Sequence, residues 1–345
     1  MNFYDYLKNK KLLYTGRGST AIYLVLCANR IRGAQVLVPA NICYAAVLPV
    51  IYSGNQPIFA DVGEDGNLTS VTVAACRGSN IKAAIIPHMY GNPCREIAAI
   101  YNSLHSHDAI VIEDCASAMG TDIGGVMTGS FGDYAVYSFG QSKIIDCGYG
   151  GLIVSQRNLD DLATLNAQLP RHTPCIDEEL QLLSQIYRVI RNNVTGILTE
   201  AVYECVRQRL QQCFLFQVSP EHVTRLSASL GGLEKIIRQR RKNALQYERH
   251  LNWNASMKRY TFHTGAVPWR YNILIDEARK PDLTAKLLRK KVPVSDWYPV
   301  IAPMFGTRTP FPHAKIMEKQ LLNFPLTDVT EKQIQRITQA INSFF

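Results

Sequence analysis

The sequence holds nine cysteines but no Cys-x-x-Cys pair, and no His-rich cluster at metal-ligand spacing. An odd set of thiols without paired spacing argues against a disulfide framework and against a metal centre; it fits free thiols in a reducing compartment. No apolar run approaches the length of a membrane span, and residues 1–11 lack the apolar core of a signal peptide, so a cytoplasmic protein with no membrane span is expected. Dense charge is scarce as well. The formal net charge of +9 is dispersed, with a single basic run at Arg238, Arg240, Arg241 and Lys242 that reads as a solvated helix face. Dispersed positive charge favours small phosphate-bearing ligands over nucleic acid, and no nucleic-acid motif is visible. At 345 residues, 47% hydrophobic and 19% charged, the chain is an ordinary globular sequence rather than a disordered one, and long enough for two domains.

What the sequence does contain is a series of short, continuous apolar strands separated by helix-length connections. The segments Gln35 to Pro39, Ile58 to Val62, Ala83 to Pro87, Ile110 to Asp114, Tyr134 to Phe139 and Leu152 to Ser155 read this way. Strands apolar on both faces predict an α/β domain with a mostly parallel, covered sheet. Residues from about Asp160 to Phe214 are helical in character, with Leu180, Leu183, Ile186, Tyr187 and Ile190 at helix spacing. A second long helix is expected from the stripe Leu226, Leu230, Leu233, Ile237, Ala244 and Leu251. Beyond Asn252 a strand near Tyr271 to Asp276, a helix near Leu283 to Lys290, and a closing helix with Thr330 and Gln333 in capping-box spacing read as a small α+β unit. The expected organisation is a large α/β domain over 1–250, with a short lead-in at 1–16 and a helical insertion at 160–220, followed by a small C-terminal α+β domain over 251–345.

Ligands of such sheets gather at the carboxyl ends of the strands. There the chain offers Asp114 after Ile110–Ile112, Ser138 after Tyr134–Tyr137, and then Lys143 in a turn rich in glycine. The segment Gly16-Arg17-Gly18-Ser19-Thr20 opens a helix, whose free N–H groups and macrodipole suit a phosphate; a plain N-cap by Ser19 or Thr20 is the simpler reading of those residues alone. Together these groups match the needs of pyridoxal phosphate (PLP). Lys143 supplies the Schiff-base amine, Asp114 a carboxylate that keeps the pyridine nitrogen protonated, and Ser19, Thr20 and Ser138 phosphate donors. Tyr44, or less well Cys43, supplies a surface for the ring.

The order of these motifs resembles the DegT/StrS-type nucleotide-sugar aminotransferases of PLP fold type I. The matching text is Gly18-Ser19-Thr20-Ala21, Val36-Leu37-Val38-Pro39, Pro57-Ile58-Phe59-Ala60-Asp61-Val62, Ile86-Pro87-His88, Val111-Ile112-Glu113-Asp114-Cys115-Ala116, and Gly129-Ser130-Phe131-Gly132-Asp133 through Ser138 to Lys143. The resemblance implies a PLP-dependent aminotransferase that moves an amino group, commonly from glutamate, to a keto group of a nucleotide-linked sugar for polysaccharide or natural-product biosynthesis. It implies Lys143 as the proton-shuttling base, Gly18, Ser19, Thr20 and Ser138 around the phosphate, and a homodimer. The chain departs from the family pattern at Ser117, where Gln or His is usual, at Tyr149, where glutamate is usual, and at Val218-Ser219-Pro220, where an Asn-Tyr-Arg segment usually reaches a neighbouring subunit. Near Trp297 it has no counterpart of a common histidine. A PLP enzyme of different amino-acid chemistry, or a non-catalytic protein that keeps the fold, are the alternatives.

Overall fold

Residues 2–76, 80–173 and 210–345, with Glu178, Gln181 and Gln208, are described in a computed structural model. The apolar runs form β1 (Lys11–Thr15), β2 (Gln35–Pro39), β3 (Gln56–Ala60), β4 (Ile81–Pro87), β5 (Ile110–Asp114), a small hairpin of β6 (Asp122–Ile123) and β7 (Val126–Met127), β8 (Tyr134–Ser138) and β9 (Gly151–Ser155). Seven of these make one sheet in the order β1-β9-β8-β5-β4-β2-β3. Every pairing from β8 to β3 is parallel, while β9 is antiparallel to both β8 and β1. The fold is thus α/β around a mostly parallel sheet, as the strand pattern predicts.

Alternation within the strands divides the core. Val36 and Val38 of β2 face one apolar cluster with helix α2 (Gly18–Ala28) and helix α3 (Tyr44–Tyr52), whereas Leu37 faces a second with Ile97 and Ile100. Both faces are dry, which is why these strands read as unbroken apolar runs. The parallel pairs need crossover connections, but β8 and β9 are antiparallel and need none. Their connection, residues 139–150, is therefore free to fold as a loop at the sheet edge, and it carries Lys143.

Three expectations are corrected. The lead-in at 1–16 is part of the fold: helix α1 (Phe3–Leu7) packs Phe3 edge-on against Tyr137 at 5.2 Å, and β1 pairs with β9 from Lys11↔Ser155 to Thr15↔Gly151. The long helix expected from Leu226 to Leu251 is two helices, Pro220–Ser229 and Leu233–His250, with a 3₁₀ turn at Leu230–Gly232 between them, where Gly231 and Gly232 weaken helical continuity. The basic run is not wholly solvated. Arg240 is 3% exposed and donates to the carbonyls of Trp269 at 2.7 Å and Pro268 at 3.3 Å. The helix expected around Leu180, Leu183, Ile186, Tyr187 and Ile190 lies outside the described residues.

A second, antiparallel sheet of β10 (Met257–Arg259), β11 (Tyr271–Ile275) and β12 (Leu321–Phe324) has its own core with helices Lys280–Arg289 and Glu331–Asn342. Thr330 and Gln333 form the reciprocal capping box at the start of the last helix. Helix Leu233–His250 joins the two units. Its Leu233 and Ile237 pack on the core around Tyr137, and its Tyr247 packs on the second sheet.

Candidate active site

A cavity of about 340 Å³ opens at the carboxyl ends of β5 and β8. Its walls include Arg17, Gly18 and Ser19 from the start of α2, Cys43, Tyr44 and Ala45 from the start of α3, Asp114, Ser138 and Lys143, and Trp269, Arg270, Trp297 and Tyr298 from the C-terminal part of the chain. Two helix N-termini meet here, joined by the Ser19 hydroxyl, which donates to the Ala45 carbonyl at 2.7 Å. Neither start is capped by a side chain; apart from the Ala46 N–H, which donates to the Cys43 carbonyl at 2.9 Å, the first-turn N–H groups and the positive dipole ends suit an anion.

The lysine turn is built by short-range bonds. Asp146 accepts from the N–H of Ser142 at 2.7 Å and of Gly148 at 2.9 Å, closing a loop around Lys143, and Ser142 takes a φ of 64° at its apex. The indole N–H of Trp269 donates to the Ser142 carbonyl at 2.5 Å, and Arg240 reaches the Lys143 carbonyl at 3.4 Å. The Lys143 amine itself donates to the Ser117 hydroxyl at 3.2 Å.

Asp114 ends β5. One of its oxygens accepts from the Ala116 N–H at 2.9 Å, and among the described residues the other accepts no hydrogen bond. Enclosure by protein pushes its carboxyl pKa up, opposed by the nearby Lys143 charge and the Ala116 N–H. Glu113, the preceding residue, points to the opposite face and is fully buried. It accepts from the N–H groups of Gly129 at 2.8 Å and of Phe131 and Gly132 at 2.6 Å each, and from His88 Nε2 at 3.0 Å. This network explains the Gly129–Asp133 motif. A Cβ at Gly132 would stand 2.9 Å from the Val111 carbonyl, and Gly129 has a φ of 93° with Tyr137 against it, so the turn can wrap the carboxylate only with glycine at both places.

Of the residues singled out from the sequence, Gly18, Ser19, Cys43, Tyr44, Asp114, Ser138 and Lys143 share the cavity wall, and Ser117 joins them through the lysine amine. Thr20 does not. Its hydroxyl is fully buried and donates to the Phe214 carbonyl at 2.7 Å, tying α2 to the C-terminal part of the insertion. Tyr149 also lies off the cavity, stacked between His222 at 3.7 Å and His172 at 4.1 Å, while His222 Nε2–H donates to the Tyr149 carbonyl. Val218–Pro220 lead into a helix that Ser219 caps by accepting from the His222 N–H. Arg17, Trp269, Arg270 and Tyr298 were not foreseen; the Trp269-Arg270 pair immediately before a strand was the available signal.

The donor set fits a ligand with a phosphate, an aldehyde and a basic ring nitrogen. Arg17, two helix starts and the Ser138 hydroxyl stand at one end. An amine and an enclosed carboxyl stand at the other. Among the described residues no other cluster competes for this role: His88, Glu113 and Cys115 approach one another, but the Glu113 oxygens already hold four hydrogen bonds and His88 Nδ1 accepts from the Cys94 N–H at 3.0 Å. Among the described residues no helix is long and apolar enough to cross a membrane.

Comparison with known proteins agrees with this geometry. The chain is 33% identical over 159 residues to GDP-perosamine synthase of Vibrio cholerae, a match that takes in 46% of this chain and 43% of that protein, so it spans less than half of that relative. Against GDP-perosamine synthase of Escherichia coli O157:H7 it is 28% identical over 338 residues, 95% of this chain and 84% of that one. The crystal structure of the aminotransferase TlmJ from Streptoalloteichus hindustanus has the same fold, with a TM-score of 0.79 at 19% identity over 99% of this chain and 88% of that one. A model of the DegT/DnrJ/EryC1/StrS aminotransferase family matches residues 1–179 and 222–342. The chain therefore belongs to the DegT/DnrJ/EryC1/StrS aminotransferase family, whose cofactor is pyridoxal phosphate.

Proposed function

We propose that the protein is a PLP-dependent aminotransferase that transfers an amino group, with glutamate as donor, to a keto group of a nucleotide-linked sugar. The observation that carries this reading is the convergence of the Lys143 amine, the enclosed Asp114 carboxyl and the Arg17–Ser138 anion cradle on one cavity. When bound, PLP supplies an aldehyde for an amine and a ring that accepts electrons from a neighbouring carbon. The chain's own part is to place and move protons. Lys143 Nζ takes the proton from the carbon that bears the amine and returns it, with Ser117 Oγ fixing the direction of the amine. Asp114 holds the proton on the ring nitrogen. Ser138 has its hydroxyl hydrogen available for phosphate, because its oxygen accepts from the Gly140 N–H at 3.3 Å. Tyr44 and Cys43 line the ring's end of the cavity.

In this reading residues 1–250 form the cofactor domain and 251–345 a small domain that closes the cavity with Trp297 and Tyr298. A homodimer and a cytoplasmic location complete it, supported by the family resemblance. The test is purification with PLP, followed by a glutamate half-reaction and a panel of nucleotide-linked keto sugars. A visible PLP band that Lys143→Ala abolishes, and formation of 2-oxoglutarate, are expected. A band unchanged in Lys143→Ala would remove that lysine from the role, and turnover of another amino acid without 2-oxoglutarate would change the donor. Light scattering on the PLP-loaded protein tests the dimer.

A further inference from the structure

A second cavity, of about 740 Å³, opens between the loop after β3 and the C-terminal part of the chain. Among the described residues it shares no wall with the catalytic cavity. Tyr90 stands between the two, edge-on to Tyr260 of the second cavity at 5.6 Å and tilted against Tyr298 of the first at 6.0 Å. Its volume is that of a small-molecule site, roughly 300–1,000 Å³.

The wall is polar and held in place. The Asp65 carboxylate accepts from the N–H and the side-chain amide of Asn67 and from His263 Nε2, each at 3.0 Å. The Tyr260 hydroxyl donates to the Asp65 carbonyl at 2.6 Å, and the Asn92 amide donates to the Tyr260 hydroxyl at 3.2 Å and to the Thr261 carbonyl at 3.0 Å. These bonds tie the loop after β3 to residues 260–263, so a ligand meets a preformed surface. Exposed groups of both charges stand on that frame. Arg95 and Arg259 bring guanidinium groups, Glu64 and Glu96 carboxylates, and Thr261 a hydroxyl. Arg259 is steadied by the Glu248 carboxylate at its Nε and by the Trp253 ring, whose centre lies 4.5 Å away. Glu96 is oriented by the Ser70 N–H, which donates to one of its oxygens at 2.8 Å.

Resting on the aminotransferase reading above, we propose that this cavity is a second binding site, for an aminated sugar phosphate, the product class of that reaction. The guanidinium groups suit a phosphate, the carboxylates an ammonium, and the carboxylates and the Thr261 hydroxyl also suit sugar hydroxyls. A ligand with negative charge alone meets Glu64 and Glu96, and one with positive charge alone meets Arg95 and Arg259. A ligand that carries both charges matches the wall, and selection by such mismatches is a general source of specificity. A keto sugar phosphate lacks the ammonium, so the site distinguishes the aminated product from its precursor.

In the experiment, protein incubated with PLP is titrated with glucosamine 1-phosphate and followed by tryptophan fluorescence. A saturable change is expected from Trp253, which lies on Arg259, and Trp253→Phe removes it although Trp269 and Trp297 of the catalytic cavity remain. By calorimetry, Arg95→Gln and Glu64→Gln are each expected to weaken glucosamine 1-phosphate binding by about fivefold. Glucose 1-phosphate, without the ammonium, is expected to bind the wild type about fivefold more weakly and to be indifferent to Glu64→Gln. Both variants keep the wild-type Tm, because both positions are exposed. The proposal is overturned by a wild type that binds no glucosamine 1-phosphate, by a fluorescence change that survives Trp253→Phe, or by an affinity that neither variant alters. Equal affinity for glucose 1-phosphate or for glutamate overturns it as well. A protein that takes up no PLP, or forms no 2-oxoglutarate from glutamate, while glucosamine 1-phosphate binds as described is a different failure: it removes the aminotransferase reading and leaves the second site standing.

Discussion

Substitution of Glu113 by Gln isolates the network that holds the turn before β8. The change is isosteric, so packing is preserved and only hydrogen bonding differs. One carboxylate oxygen accepts from the Phe131 and Gly132 N–H groups, and the other from Gly129 N–H and His88 Nε2. His88 cannot adapt by changing tautomer, because its Nδ1 already accepts from the Cys94 N–H, which puts the ring proton on Nε2. Whichever way the glutamine amide is turned, its NH₂ meets two donors and two charge-assisted bonds are lost. At about 1.5–3 kcal/mol for each such bond, and with some relaxation, the expected cost is about 3–5 kcal/mol. Taking roughly 2 °C per kcal/mol for a chain of this size, Tm falls by about 6–10 °C in the cofactor-free protein, read by circular dichroism. PLP still binds at saturating concentration and the visible band is retained, since the Glu113 carboxylate lies on the opposite face of β5 from Asp114 and its hydrogen bonds go to His88, Gly129, Phe131 and Gly132. A loss of less than about 2 °C would show that these four bonds are not made together in solution, and the account of the Gly129–Asp133 motif would fall with it.

Other expectations are briefer. Enclosure raises the Asp114 carboxyl, so the folded cofactor-free protein keeps this proton above the pH at which the unfolded chain releases it, and stability falls as pH rises through the folded value. Asp114→Asn removes that loss. The cofactor-free variant should be at least as stable as wild type at alkaline pH, with the gap closing toward about pH 4, while its PLP affinity drops; a gap that grows on acidification would reverse the sign. Arg240→Met strips donors from the Trp269, Pro268 and Lys143 carbonyls and should cost about 2–4 kcal/mol and speed PLP release, measured by denaturant unfolding and by stopped-flow absorbance. Tyr149→Leu removes the ring between His172 and His222 and should cost about 1–2 kcal/mol with the PLP band intact; loss of the band would give Tyr149 a direct part in the cofactor site.

The comparison of sequence with structure turns on range. Lys143, Asp114 and Ser138 were legible because each lies at the end of a short apolar strand, and the strands themselves announce a covered parallel sheet. Strand β1 was not, since Lys11–Thr15 is half-exposed and its partner is β9, 140 residues away. Thr20 has the type and position of a phosphate ligand, yet its hydroxyl is taken by the Phe214 carbonyl, and only the packing of the C-terminal part of the insertion decides that. Arg240 sits among basic residues that look solvated, and helical phase alone cannot tell that this one turns inward over the Trp269 carbonyl.

By itself, then, the order of residues determined the inner strands of the large sheet and the turn that carries Lys143, because these depend on local periodicity and on backbone conformations open to few residue types. The tertiary structure alone decided which side chains complete the cavity. Ser117 meets Lys143 from 26 positions away and Trp269 meets Ser142 from 127. The first contact is fixed by the pairing of β5 with β8 and the second by how the C-terminal part packs on the lysine turn, so the wall of Trp269, Arg270 and Tyr298 becomes visible only when the chain is folded.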